Sequence, residues 1–330
     1  ALAGEIRPDA LLCAGDLYED DRVTADTGAF LRSRFEEAGL PIYIAPGNHD
    51  FLGPQSVYER LDWPANVTIF ESPDLTAVEL APGLRLWGAA HRAPAGTPGF
   101  LEGGFRTGGG AVELALFHGS ERSSFDLQGD KKSPHAEFRP EEIEQAGLHH
   151  AFVGHYHVPA EQPWHTYPGN PQPLTFGETG TRGAVEVEVD EVGLVSRQWH
   201  QVETSPAHDL DLDLTGSLSG DDVRRRLSAL LEGKVGVARV ALTGEVPSDA
   251  AIDFSQLREV ANGLDAPPVL DGSAIRIAYD VDAIATENTV RGQFVRDVMA
   301  SQDLDELERR RVLITGLRAL DGRSDLEVPG

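Results

Sequence analysis

Short apolar runs, each cut off by a glycine, a proline or a polar turn, set the rhythm of the first two hundred residues. Residues 9–14 (DALLCA), 42–45 (IYIA), 112–117 (VELALF) and 151–153 (AFV) are too short for buried helices, and turn residues bound them, so they read as strands of a covered sheet. Shorter strands are expected at 67–70, 77–80 and 84–87. Helical periodicity appears between them. A helix is predicted over 24–38, with Phe30, Leu31, Phe35 and Ala38 on one face and Gly39 placed to end it. Another is predicted over 140–146, with Pro140 at the first helical position and Gly147 after its end. Residues 184–199 alternate and turn at Glu191-Val192-Gly193, a hairpin signature. Strands alternating with helices indicate an α/β fold.

The character changes near residue 208. DLDLDLTGSLSG reads as a strand and linker, and Ser219 with Asp222 suits a cap for the helix DDVRRRLSALLEG. VGVARVALTG and AIRIAYD at 274–280 read as strands. Helices are expected near 253–263, 290–300 and 303–320. The predicted organisation is therefore a first domain over 1–207 and a small α+β domain over 208–330. A chain of 330 residues is long enough for two cores.

Composition narrows the classes of function. No apolar run is long enough to cross a bilayer, and the single cysteine, Cys13, excludes a disulfide framework or a cysteine-based zinc site. A cytoplasmic setting is the expectation. The net charge is −26, concentrated before residue 220, with 14 Lys+Arg against 34 Asp+Glu there and 14 against 20 after it. Such a surface repels polyanions unless cations intervene.

Cations are what the strand ends invite. The strand ending at residue 14 runs into Gly15-Asp16, the next into Gly47-Asn48-His49-Asp50, a third into His118 and a fourth into Gly154-His155-Tyr156-His157. If extended geometry persists, His155 and His157 point to the same side. Taken singly, Asp16 reads equally as a loop or capping aspartate, Asn48 as a turn residue, His118 as a core histidine and GHYH as a surface loop. Together, each directly after an apolar strand, they supply a carboxylate, an amide oxygen and imidazoles, the donors of a divalent metal centre.

The series GD, GNHD, H, GHxH resembles that of the calcineurin-like metallophosphoesterases. YPGNPQPLTFGETGTRGAVEVEVDE, at 167–191, is similar to the strand-and-hairpin ending of the SbcD-like and YhaO-like DNA repair exonucleases. The resemblance implies a four-layer αββα core over the first domain and, more loosely, a small cap domain in the second. It implies two divalent ions, manganese foremost with magnesium as the alternative. Asp16 matches the bridging carboxylate, Asn48, His118 and His155 match ligands of the second metal, and His157 matches a ligand of the first. His49 matches the histidine that contacts the scissile phosphate and assists the leaving oxygen. The implied activity is a metal-dependent DNA exonuclease working with an SMC-like, SbcC-like ATPase subunit, with a homodimer as a further expectation.

Two departures qualify the match. Glu19 stands where relatives carry aspartate or histidine, which leaves its role open. The family's first strand, ending in Asp-x-His, has no counterpart before Gly15, and ALAGEI reads as the end of the helix that comes after that strand. The chain is thus expected to be N-terminally incomplete, to bind the first metal poorly and to be nearly inactive. His91 is balanced between cleft and core. His149 and His150 read as packing or surface residues, and His135, His165, His200 and His208 have no argued partner. The rival readings are a phosphatase or phosphodiesterase for a small molecule or phosphoprotein, which the acidity suits, and a metal-binding module without catalysis.

Overall fold

The run Val112–His118 is a strand buried at all seven positions. Because side chains alternate between faces, Leu114 and Leu116 enter one apolar cluster with Ala45, Phe70, Leu86 and Phe152. Ala115 and Phe117 enter another, with Phe138, Ile143, Ala146 and Val153. A strand apolar on both faces belongs in the middle of a covered sheet. Each large side chain taken out of water there contributes about 1.5–3 kcal/mol. The charged member, Glu113, is buried but accepts from Trp87 Nε1 (2.7 Å) and Arg85 Nη1 (3.0 Å), so its charge is compensated.

The computed structural model describes residues 2–123, 134–247, 250, 252–261 and 263–321. Contacts divide the chain into two units, residues 1–172 with 181–203, and residues 173–180 with 204–330. In the first unit, α1 (Leu2–Ile6), β1 (Leu11–Cys13), α2 (Ala25–Ala38), β2 (Ile42–Ile44), α3 (Val57–Arg60) and β3 (Val67–Ile69) come first. The strands β1, β2 and β3 form a parallel sheet in that order. Next come β4 (Thr76–Ala81), β5 (Leu84–Gly88), β6 (Val112–His118), α4 (Pro140–Gln145), β7 (His150–Gly154), β8 (Ala160–Glu161) and β9 (His165–Tyr167). They build a six-stranded sheet of order β4-β5-β6-β7-β9-β8, parallel through its middle and antiparallel at both edges. A hairpin of β10 (Gly183–Val189) and β11 (Val195–Gln201) completes the unit.

The layers are set by which cluster each residue joins. Ile42 and Ile44 of β2 pack with Phe35 of α2 and with Val57 and Tyr58 of α3. Tyr43 and Ala45, of opposite parity, pack with Leu114, Leu116 and Phe152 of the second sheet. Ala115 and Val153 then meet Ile143 of α4 on the far side. The order is helix, sheet, sheet, helix, the αββα arrangement.

One expected face needs correction. On α2 the buried line runs through Gly28 and Phe35 with Leu31 partly covered, whereas Phe30 is 59% exposed and Ala38 is also exposed. At 100° per residue, Phe30 lies a quarter-turn off the line through Leu31, and its ring instead sits under the Arg34 guanidinium (5.4 Å).

The second unit contains β12 (Ala207–Asp213), α5 (Gly220–Leu231), β13 (Val237–Pro247), α6 (Phe254–Arg258) and β14 (Val269–Ala278). After these come α7 (Val281–Ala285), α8 (Val290–Ala300) and α9 (Glu306–Leu320). Its three strands are all parallel, with α5 and α6 as crossovers. Ser219 caps α5 by accepting from Asp222 N. Val223, Leu227 and Leu231 of α5 pack on Val240 and Leu242, and a smaller cluster of Ile284, Val295, Val298, Leu313 and Leu317 joins the last three helices. No helix among the described residues is long and apolar enough to cross a membrane.

Burial also fixes a response to acid. His165 is fully buried between the rings of Phe138 and Tyr167 (5.4 Å each), and neither ring nitrogen has a hydrogen-bond partner among the described residues. Burial pushes its pKa down to about 4, with Glu121 opposing and Arg197 adding to the effect. In the unfolded chain a histidine takes up its proton near pH 6.5. The stability that depends on a neutral His165 is therefore complete above about pH 6.5 and is lost as the pH falls towards 4. Urea denaturation at pH 7 and pH 5 is expected to show His165→Leu losing about 2 kcal/mol less than the wild type between the two. Equal losses would remove His165 from the acid response.

Candidate metal centre

Parallel strands bring their ends to a shared edge. Cys13 is in register with Ile44, and His118 with Gly154, so Asp16, Asn48, His118 and His155 all emerge within a few residues of those ends. Backbone approach there is closer than any side chain would permit. A Cβ on Gly47 would lie 2.2 Å from Asp16 Oδ1, and one on Gly154 would lie 1.9 Å from Ala14 O and 2.8 Å from His118 Nδ1. The glycines of GNHD and GHYH therefore make room for the imidazole of His118.

That imidazole is the pivot. Its Nδ1 donates to Ala14 O (2.8 Å), which turns Nε2 towards Asn48 Oδ1 (3.1 Å) and Asp16 Oδ2 (3.2 Å). Asp16, His118 and His155 each offer a ligand atom within 4.8 Å of the others. Asp16 Oδ1 also accepts from His49 N (3.0 Å).

Burial by itself would raise the Asp16 carboxyl pKa. The adjacent His118 and the hydrogen bonds from His118 and His49 N outweigh it and hold the carboxyl well below the usual range. His118 shows the converse: burial opposes its charge, and Asp16 with the carbonyl of Ala14 raises its pKa nonetheless. The proton on Nε2 thus occupies the point where the carboxylate, amide and imidazole donors meet, and a divalent cation fits there in its place. A carboxylate, an amide oxygen and two imidazoles, without sulfur, suit a hard to borderline ion. The Nδ1 bond to Ala14 O is the outer contact that orients such a ligand.

Asp16 (φ 56) and His155 (φ 106) both sit in backbone regions that side chains avoid. Such conformations cost about 1–3 kcal/mol each and persist where the surroundings over-determine them. His155 also corrects the expectation of two imidazoles side by side: β7 ends at Gly154, and the positive φ breaks the extended path. His155 is buried and joins the cluster, whereas His157 is only half-buried and lies outside it. The carbonyl of His157 accepts from Asn170 N and from Arg182.

His49 stands at the rim, exposed, with Nδ1 2.7 Å from Glu19 Oε2. Glu19, whose role the sequence left open, is therefore the partner of His49. His91 is buried, its Nε2 on the carbonyl of His118 (2.7 Å), so it supports the strand end and does not line a cleft. His135 is buried with its ring centroid 5.4 Å from that of His155.

Sequence reasoning passed over Asp50, the last residue of GNHD. It is fully buried and accepts from Asp16 N (3.0 Å), Leu17 N (2.9 Å), Gly47 N (2.6 Å) and the Tyr58 hydroxyl (2.6 Å). Burial and the nearby Asp16 push its pKa up. The four donors aimed at its two oxygens oppose that shift and favour the carboxylate. Its position in the motif was the available signal. His135 had none.

Residues 1–159 match the calcineurin-like phosphoesterase family. The chain is 29% identical over 193 residues to the metallophosphoesterase YhaO of Bacillus subtilis, covering 55% of this chain and 45% of that protein. It is 27% identical over 254 residues to the DNA double-strand break repair protein Mre11 of Methanopyrus kandleri, covering 68% of this chain and 54% of that protein. The chain thus spans about half the length of these curated relatives.

Proposed function

We propose that this chain, whose residues 1–159 match the calcineurin-like phosphoesterase family, is the nuclease part of a DNA repair system and cleaves phosphodiester bonds in DNA. The observation that carries the reading is the convergence of Asp16, Asn48, His118 and His155 beside the rim histidine His49. The similarity to a double-strand break repair protein supports DNA as the substrate.

Asp16, Asn48, His118 and His155 would hold one divalent ion, with manganese the proposed occupant, and His157 would serve a second. Such ions supply a lowered pKa for an attacking water and positive charge for the phosphoryl oxygens. The protein's own part is orientation and proton transfer. Glu19 takes Nδ1 of His49, so Nε2 is the nitrogen free to face the phosphate and to give a proton to the departing oxygen. Glu19→Gln is expected to lower kcat about 10-fold while KM and manganese affinity stay within about 2-fold, because an orienting partner acts through the proton donor it holds. A steady-state kinetic comparison checks this, and an unchanged kcat would make the pair ornamental.

An SMC-like ATPase is the proposed partner, and a homodimer the proposed assembly. Incubation of the chain with manganese and linear duplex DNA, beside bis-p-nitrophenyl phosphate and nucleoside monophosphates, tests the substrate. Slow but measurable DNA cleavage that disappears in His49→Ala is expected. Turnover of the small esters with intact DNA would favour the small-molecule reading, which the net charge of −26 suits.

A further inference from the structure

The turn that carries His155 and His157 has left its sheet. Backbone pairing to β6 ends with Gly119 N on Gly154 O, and His155 then departs with its positive φ. Two anchors hold the turn in place. The Tyr156 hydroxyl donates to Glu121 O (3.2 Å), and the carbonyl of His157 is gripped from outside. That grip comes from the chain after β9. Gly169 (φ 67) lies so close that a Cβ there would sit 2.5 Å from His157 O, and Asn170 N donates to the same oxygen (3.3 Å). Arg182, one residue before β10, donates from Nη1 to His157 O and to Asn170 Oδ1 (2.9 Å). Arg182 is 2% exposed, so it neither reaches solvent nor touches a substrate. Burying a guanidinium is costly, and an aliphatic side chain would fill the same space more cheaply. Both bonds leave Nη1, whose two N–H groups are fixed in the guanidinium plane and so tie the two acceptors into one geometry.

We propose that Arg182 is a positioning residue of the metal centre. Its guanidinium locks the carbonyl of His157 to the 168–170 turn and thereby sets where the His157 ring stands. The inference rests on the reading of His157 as a metal ligand. It explains why Gly169, Asn170 and Arg182, far from the strand ends in sequence, contribute to the site.

The test separates the turn from the rest of the centre. The metal-free full chain is titrated with Zn2+, and the imidazole 15N resonances are tracked by NMR, with calorimetry alongside. In Arg182→Met the His157 resonances are expected to need about 10–100-fold more zinc, the loss typical of an outer-shell partner, while His118 and His155 respond as in the wild type. Arg182→Lys, which keeps the charge and N–H donors but not their fixed planar geometry, recovers part of the loss. If Arg182→Met does not fold, Asn170→Ala carries the test, with the same selective weakening at His157. A His157 response at wild-type zinc concentrations in these variants, or an equal loss at all three histidines, overturns the proposal. A wild-type His157 that ignores zinc, while His118 and His155 bind it, overturns it through the ligand assignment instead.

Discussion

Asp16→Asn is expected to weaken manganese binding by well over 100-fold and to abolish hydrolysis of any phosphodiester, with the fold intact. The substitution keeps the volume and the oxygen that accepts from His49 N (3.0 Å) but removes the charge. In the native chain that charge favours the proton on His118, and among the described residues it is the one carboxylate of the donor cluster. Losing an orienting partner typically costs about 10–100-fold in metal affinity, and losing the anionic ligand itself must cost more. His118 also loses the neighbour that raised its pKa, so burial leaves the ring neutral. Calorimetry with manganese measures the first effect and ester hydrolysis the second. Retention of manganese affinity within about 10-fold would show that Asp16 is not a ligand.

The second large effect is on stability. Asp50→Ala is expected to destabilise the chain by about 3–5 kcal/mol, because three backbone N–H groups and the Tyr58 hydroxyl then lose their buried acceptor together. The three backbone donors belong to both loops of the centre, 15–17 and 46–50, so metal affinity falls with the stability. Asp50→Asn, isosteric but with an NH2 turned towards donors, is expected to fall between the wild type and the alanine variant. Urea denaturation of the metal-free protein reads the size of the effect. A loss below about 1 kcal/mol would mean that water replaces the carboxylate.

These two aspartates mark what was readable in advance. Strands such as β2, β6 and β7 announce themselves as short apolar runs, because burial on both faces demands it. The helix α8 is found at the predicted residues 290–300, where helical periodicity is unbroken. β9 was hidden because its three residues, His165, Thr166 and Tyr167, are polar or amphipathic and are buried by their neighbours. β14 begins at Val269, five residues earlier than expected, because Gly272 within it reads as a break. At the centre, motif spacing identified Asp16, Asn48, His118 and His155, which the fold brings together. It could not show that the backbone turns at His155, since a left-handed φ at a histidine leaves no trace in composition. Nor could it show which carboxylate meets His49, a contact set by loop packing between residues thirty apart.

The strand buried at every position has one more consequence, for how rigidity is shared out. His118 terminates the most deeply covered segment of the first unit, so amide exchange around it should be the slowest there, whereas His49 and Glu19 stand half in solvent. The candidate cation ligands are thus fastened to the stiffest part of the fold, and His49, the proposed proton donor, is hung on its edge. Changes of substrate preference can therefore accumulate among the rim residues without loosening the grip beneath them.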